Sequence, residues 1–199
     1  MNQGRPIDTL SKYVHVSLSC GSEVVTDDWL IEHISEKPFL VISGLAGSGK
    51  SMFMKYLTIC KFEQPGDGIP LFIELRKLNA LKNIDLLTFI RVFCNPPERV
   101  VSKEYFELGL QIGAFQLVLD GFDEVSHDAR LTVQDQILRI RESFPKTKII
   151  VSSRPDDTRF GSWQKFFTFN VEPLSKPQSL KLISGLDYDA GVKKVFSSS

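Results

Sequence analysis

The chain has 199 residues, 42% hydrophobic and 24% charged, with 24 Lys+Arg against 24 Asp+Glu. That length suits one good-sized domain, or one domain with a fragment of a second, and the charge balance excludes a global pull toward nucleic acid or an anionic membrane. No apolar run approaches the ~20 residues that span a bilayer, and Met1–Tyr13 is too polar for a signal peptide.

In chain order, Tyr13–Ser19 (YVHVSLS) alternates like a strand and Trp29–Ile34 reads as a helix. Phe39–Ser43 is a buried strand. Ser51–Phe62 follows as a helix, with Phe53, Tyr56, Leu57 and Cys60 on one face. Gln64–Gly68 (QPGDG) is a turn, and Ile69–Leu75 a second strand with Pro70 tolerated at its start. A helix over Asn83–Phe93 is stopped by Pro96–Pro97, and a short helix runs from about Ser102 to Leu110. Phe115–Leu119 is the third strand. His127–Phe144 is a long helix with Val133, Ile137, Ile140 and Phe144 on one face, ended by Pro145. Lys148–Ser152 and Phe166–Val171 are strands four and five. Past Leu174 a helix begins, with Ser175 as its cap and Leu180, Ile183 and Leu186 on one face. Cys20, Cys60 and Cys94 sit outside any metal-ligand spacing and suit a reducing, cytoplasmic setting.

Strands alternating with helices predict a three-layer α/β fold. The expected architecture is a mostly parallel five-stranded sheet with helices on both faces and the start of a small helical domain. Its divisions are a lead-in segment over residues 1–35, a core over 36–173 and the truncated helical start over 174–199.

Gly44–Ser51 (GLAGSGKS) fits G-x-x-x-x-G-K-[ST] between a strand and a helix, the context in which that pattern holds phosphate. Gly44, Gly47 and Gly49 let the backbone curl so that its N–H groups face phosphate oxygens, and the helix start adds favourable field. Lys50 places a compact cation near the β- and γ-phosphates, and the Ser51 hydroxyl can ligate Mg²⁺. The candidate nucleotide-binding residues are Gly44, Leu45, Ala46, Gly47, Ser48, Gly49, Lys50, Ser51 and Met52.

Leu117–Val125 (LVLDGFDEV) ends an apolar strand in Asp120, 70 residues after Lys50. A carboxylate there can reach the hydration shell of the Mg²⁺ that Ser51 would ligate. Asp123 and Glu124, just beyond, are candidates to orient and deprotonate an attacking water. Ile149–Pro155 (IIVSSRP) presents Ser153 and Arg154 at the next strand end. There a guanidinium can read a terminal phosphoryl group, with Pro155 keeping the residue before it extended.

These stretches together resemble the NACHT group of signal-transducing P-loop NTPases, of the STAND class, over about Asp28–Leu186. The most specific element is Asp120–Glu124 (DGFDE): a small residue after the metal-facing aspartate, then two acids. ATPases of the AAA type place glutamate there, which Gly121 excludes. Ile69–Arg76 (IPLFIELR), Val151–Pro155 (VSSRP) and Val171–Ser175 (VEPLS) are also similar to the family. The resemblance implies binding of ATP, or less often GTP, with Mg²⁺, used as an on/off switch for self-association in innate immunity, cell death or antiviral defence. The lack of a recognisable animal effector segment points to a bacterial member. No N/T-K-x-D guanine motif occurs, which favours ATP. The family's further helical, winged-helix and sensor parts do not follow Leu186, so the chain reads as a nucleotide-binding core with an open cleft and slow hydrolysis. An alternative is a non-hydrolysing, nucleotide-dependent interaction module, or a fragment of a larger NACHT protein. His15, His33 and His127 do not group together, and no basic stripe marks nucleic acid as a partner.

Overall fold

The computed structural model of the chain describes residues 13–64, 66, 68–95, 97–155, 163 and 166–185. Met1–Lys12, Pro65 and Asp67 of the QPGDG turn, Pro96, and Leu186–Ser199 lie outside the described residues.

The strands are β1 (Ser17–Cys20), β2 (Glu23–Thr26), β3 (Phe39–Ser43), β4 (Ile69–Glu74), β5 (Phe115–Asp120), β6 (Lys148–Ser153) and β7 (Phe167–Val171). The helices are α1 (Asp27–Glu32), α2 (Lys50–Glu63), α3 (Leu86–Phe93), α4 (Lys103–Ile112), α5 (His127–Ser143) and α6 (Lys176–Gly185). All seven strands form one sheet in the order β2-β1-β7-β3-β6-β5-β4. The five expected strands make its parallel part. The expectation of a five-stranded sheet is corrected to seven: β1 and β2 form a hairpin that pairs antiparallel with β7. Its two-residue turn places Gly21 at φ 62°, and hairpins with this loop length favour glycine there.

Side chains of the central strands alternate between two cores, because successive residues of a strand face opposite sides. Val41, Leu117, Leu119, Ile149 and Val151 point to one face, where they meet Ile90 of α3, Leu110 of α4 and Ile137 of α5. Leu40, Ile42, Val118 and Ile150 point to the other, against Leu30 of α1 and Phe53, Met54 and Leu57 of α2. Burial on both faces is why these strands read as unbroken apolar runs. Each fully buried Leu, Ile or Val contributes about 1.5–3 kcal/mol relative to exposure.

The helix limits have local causes. Asp85 accepts the Thr88 N–H (3.0 Å) and so starts α3 three residues after the expected Asn83. Ser102 does the same for α4. Gly113 closes α4 with φ 79°. Val133, Ile137 and Ile140 of α5 are buried as their spacing requires, with Phe144 partly so. In α6 no side chain is buried, although Leu174 before it packs on the second core.

The segment before β1 is pinned by Asp27, which is fully buried. Its Oδ2 accepts from Tyr13 Oη (2.5 Å) and Val16 N (3.0 Å), and its Oδ1 from Asp28 N (2.9 Å). The Tyr13 ring stacks on Tyr56 of α2, and its hydroxyl pKa is driven far up by burial and by the bond to Asp27. His15 Nδ1 lies 3.2 Å from Asp27 and 3.3 Å from Asp28. Protein donors already fill the buried carboxylate of this group.

Parallel register brings the carboxyl ends of β3, β6 and β5 level. Ser43 pairs with Ser153, Leu119 with Val151, and Glu74 with Asp120. β7 returns on the far side of β3 from β6, so β3 sits where the strand order reverses, the place where open α/β sheets bind ligands.

Candidate functional site

The loop between β3 and α2 is shaped by its glycines. Gly47 and Gly49 take left-handed angles of φ 76° and 93°. Gly44 does not; it is needed for space, since a Cβ there would lie 2.6 Å from Ser48 Oγ. Ser48 N donates to Leu45 O (3.2 Å), closing the curl. Gly49 caps α2 with no side-chain acceptor and no acid follows in the first turn. The first amides of that helix are therefore offered to an anion rather than to the chain's own carboxylates.

Lys50 folds over this loop: its Nζ donates to Gly44 O (2.7 Å) and Leu45 O (2.9 Å). Burial holds its ammonium below the usual lysine range; nearby Asp123 opposes that shift and Arg154 adds to it. A phosphate arriving there would supply the missing counter-charge. Ser51 Oγ donates to Asp120 Oδ1 at 3.2 Å, bridging two elements 69 residues apart. Asp120 Oδ1 also accepts from Ser152 Oγ (2.5 Å), which in turn accepts from Gly121 N (2.8 Å). Ser152 is fully buried and fixes both the carboxylate and the backbone turn that follows it.

Gly121 turns the chain with φ 76°, and a Cβ there would stand 3.2 Å from Glu124 Cδ. A short 3₁₀ turn then carries Phe122–Glu124. Phe122 buries itself in the first core, leaving Asp123 and Glu124 at the cleft. The acids differ. Asp123 Oδ2 is 2.9 Å from Arg154 Nε, and Asp123 Oδ1 accepts from Arg154 N (3.2 Å). Glu124 is half exposed, and among the described residues its ion-pair contact is a 4.0 Å approach from Arg76.

Two residues outside the expected set hold this turn. Arg130 of α5 donates to Asp123 O (2.6 Å) and Val125 O (2.7 Å). Asn79 donates to Glu124 O (2.9 Å) and accepts from Ser126 N (2.8 Å). Nothing in local sequence marks either one. Ser152 lies inside the quoted VSSRP stretch, and only strand register decides that it, rather than Ser153, meets Asp120.

A cavity of about 340 Å³ is lined by Ala46–Met52, Gly121, Asp123, Glu124, Ser152 and Arg154. The expected Lys50, Ser51, Asp123, Glu124 and Arg154 thus share one cleft, with Asp120 tied to Ser51 at its floor. A second, more apolar cavity of about 590 Å³ adjoins it across Ala46–Ser48 and is lined also by Gly44, Leu45, Pro155, Val171, Pro173, Leu174 and Ser179. Gly44 and Leu45 face that second space. No helix among the described residues is long and apolar enough to cross a membrane.

Among solved structures, the chain is similar to AMPPCP-bound DnaA from Aquifex aeolicus, with 14% identity and TM-score 0.53, covering 85% of this chain and 52% of that one. It is similar to Cdc6p from Pyrobaculum aerophilum at 14% identity and TM-score 0.52, over 79% and 46% of the two chains. A Walker-type ATPase of Pyrococcus abyssi matches at 13% identity and TM-score 0.54, over 86% and 61%. At such identities the likeness is one of fold, and this chain spans about half the length of the first two. No curated protein sequence matches it. The family model described as NACHT domain matches residues 39–186. With three-quarters of its length inside that match and its sheet, loop and acidic turn arranged as a P-loop NTPase, the chain belongs to the NACHT domain family.

Proposed function

We propose that the chain binds Mg-ATP in this cleft, hydrolyses it slowly and acts as a nucleotide switch. The observation that carries the proposal is the convergence of Lys50, the Ser51–Asp120 pair and Arg154 at the carboxyl ends of β3, β5 and β6. On this reading Gly44–Met52 cradle the phosphates and Lys50 exchanges its two carbonyl partners for phosphate oxygens. The oxygen-only pair Ser51 and Asp120 suits a hard divalent cation, and Ser48 Oγ, buried in the cradle without a hydrogen-bond partner, is a further polar atom the ligand would satisfy. Bound Mg²⁺ neutralises phosphate charge. Glu124, with Asp123, orients water, and Arg154 reads the terminal phosphoryl group. The adjoining apolar cavity takes the base, and the missing guanine motif favours adenine. Glu124 and Arg154 stand open to solvent (48% and 60% exposed side chains), which supports slow turnover because water is poorly excluded.

The layout follows the same reading: residues 36–173 are the nucleotide core, 1–35 lead into it and 174–199 begin a helical domain. Membership of the NACHT family supports a cytoplasmic signalling role in immune or antiviral defence, exerted through nucleotide-controlled association.

Titration calorimetry tests the core claim: Lys50→Ala should abolish Mg-ATP binding, and wild-type affinity in that variant would remove the cradle's role. Glu124→Gln should keep binding and slow phosphate release; equal turnover would assign the water to another group. One observation favours a second reading, a switch without hydrolysis: Arg154 occupies both carboxylate oxygens of Asp123. Assembly driven by ATP with no phosphate release would select it.

A further inference from the structure

The cleft contains a carboxylate where an incoming phosphoryl group would compete for the same cation. Arg154 follows β6 directly, and its backbone and side chain both engage Asp123. The amide donates to Oδ1 at 3.2 Å, and Nε stands 2.9 Å from Oδ2. The two contacts are unequal in freedom. The amide directly follows the end of a buried strand, and Pro155 disfavours a helical conformation at the residue that carries it. The guanidinium ends a flexible, 60% exposed side chain and can swing away. Asp123 itself is only 18% exposed, and Arg130 anchors its backbone carbonyl at 2.6 Å. The carboxylate is therefore the fixed member of the pair and the guanidinium the movable one. Lys50 and the cradle border the same cavity, so a third phosphate lying over them comes within reach of Arg154.

We infer that Asp123 is a specificity-determining residue, a built-in competitor that holds the Arg154 guanidinium until a terminal phosphoryl group takes it, and so sets the discrimination between nucleoside triphosphate and diphosphate. This rests on the nucleotide reading of the cleft. A diphosphate, lacking the third group, leaves the Asp123–Arg154 pair closed. A triphosphate gains the guanidinium only by replacing a carboxylate with a more highly charged acceptor. The pair thus lowers triphosphate affinity by the share of molecules in which it is closed, and gives the domain two arrangements of one side chain that differ only in which anion it contacts. Glu124, half exposed and approached by Arg76 at 4.0 Å, remains the more open of the two acids toward water.

The test is a double-mutant cycle on the whole chain, read as affinity for AMPPCP and ADP by titration calorimetry with Mg²⁺. Asp123→Asn keeps shape and the amide acceptor but weakens the hold on the guanidinium. It should raise AMPPCP affinity by about 2- to 5-fold, the strength of a partly exposed ion pair, and move ADP by less than about twofold. In an Arg154→Ala background the same substitution should change AMPPCP affinity by less than about twofold, because no guanidinium is left to release. An equal gain in both backgrounds would mean simple relief of charge repulsion and would overturn the latch. So would a flat response in Asp123→Asn, or a parallel gain for ADP. Lys50→Ala separates the two levels: if it binds AMPPCP like the wild type, the cradle reading falls and the latch with it. If it loses AMPPCP while Asp123→Asn stays flat, the latch alone falls.

Discussion

Replacing Ser152 by alanine removes a hydroxyl that serves two groups at once. Its Oγ donates to Asp120 Oδ1 at 2.5 Å and accepts from Gly121 N at 2.8 Å, in a residue with no exposed surface. Alanine matches the remaining volume, so no overpacking arises and the space left is too small for a replacement water. A hydrogen bond to an ionised group contributes about 1.5–3 kcal/mol, and an orphaned buried N–H costs about 1–3 kcal/mol. The two losses share one atom and overlap, so the expected destabilisation is about 3 kcal/mol. For a domain of this size that corresponds to a fall in Tm of roughly 6–12 °C. Urea unfolding followed by circular dichroism gives the difference directly, and the slope should stay constant because the exposed surface does not change. The same substitution should weaken Mg-dependent nucleotide binding while leaving any Mg-independent component in place, since Asp120 loses the contact that orients it. A stability loss below about 0.5 kcal/mol would place the hydroxyl's bonds in solvent-equivalent surroundings and refute the bridge.

Arg130→Ala should loosen the acidic turn without touching nucleotide, so phosphate release should fall about 10- to 100-fold while ATP affinity holds; a matching fall in affinity would make Arg130 a binding residue instead. Asp85→Ala should cost about 1 kcal/mol by urea titration at neutral pH, through loss of the α3 cap. The Thr88 amide holds the Asp85 carboxyl below its usual range. That contribution is therefore complete above the unfolded value near ~4 and disappears as pH falls through the lower folded one, so the two proteins should converge in acid; a constant gap would refute the ionic cap. Burial pushes the Cys94 thiol up to about 11. At pH 8 its thiolate fraction is then lower than an unshifted thiol's by roughly 200-fold, and the site-resolved alkylation rate should climb tenfold per pH unit up to about 9.5. A plateau near about pH 8.5, the ordinary thiol value, would contradict the burial.

The parts of this molecule that are legible in sequence are those whose signal is local. The GLAGSGKS turn carries its glycines, lysine and serine within eight residues, and its strand and helix flank it directly. Asp120 and Arg154 are readable because each ends an apolar run, and parallel strands gather such ends on one edge. The β1–β2 hairpin is only half legible: the alternation over Tyr13–Ser19 signals a strand that overlaps β1, but its partner β2 has no such signal. β2 is mostly exposed, so its four residues show no inside–outside alternation, and only the Gly21–Ser22 pair between two short runs announces it. The roles of Ser152, Asn79 and Arg130 depend on contacts across 32, 45 and 7 residues. Choosing Ser152 over Ser153 requires the register of β5 on β6, which one sequence does not contain. The contrast between Asp123 and Glu124 is equally hidden: the DE pair looks symmetric until one of them is found against Arg154.

Helix α6 fully buries no side chain, and among its ties to the rest are the Leu174 contact before it and a bond from Gln178 Nε2 to His15 O at 2.9 Å. Gln178 also accepts from Ser175 N and Oγ, so one amide group both starts the helix and moors it. Undocking α6 exposes no fully buried side chain of its own, so its amides should exchange through local opening while those of β5 wait for global unfolding. The wall of the apolar cavity that carries Ser179 is thus lightly seated, and ligand on its inner side should be felt, through the Gln178 bond, at His15 near the other end of the chain.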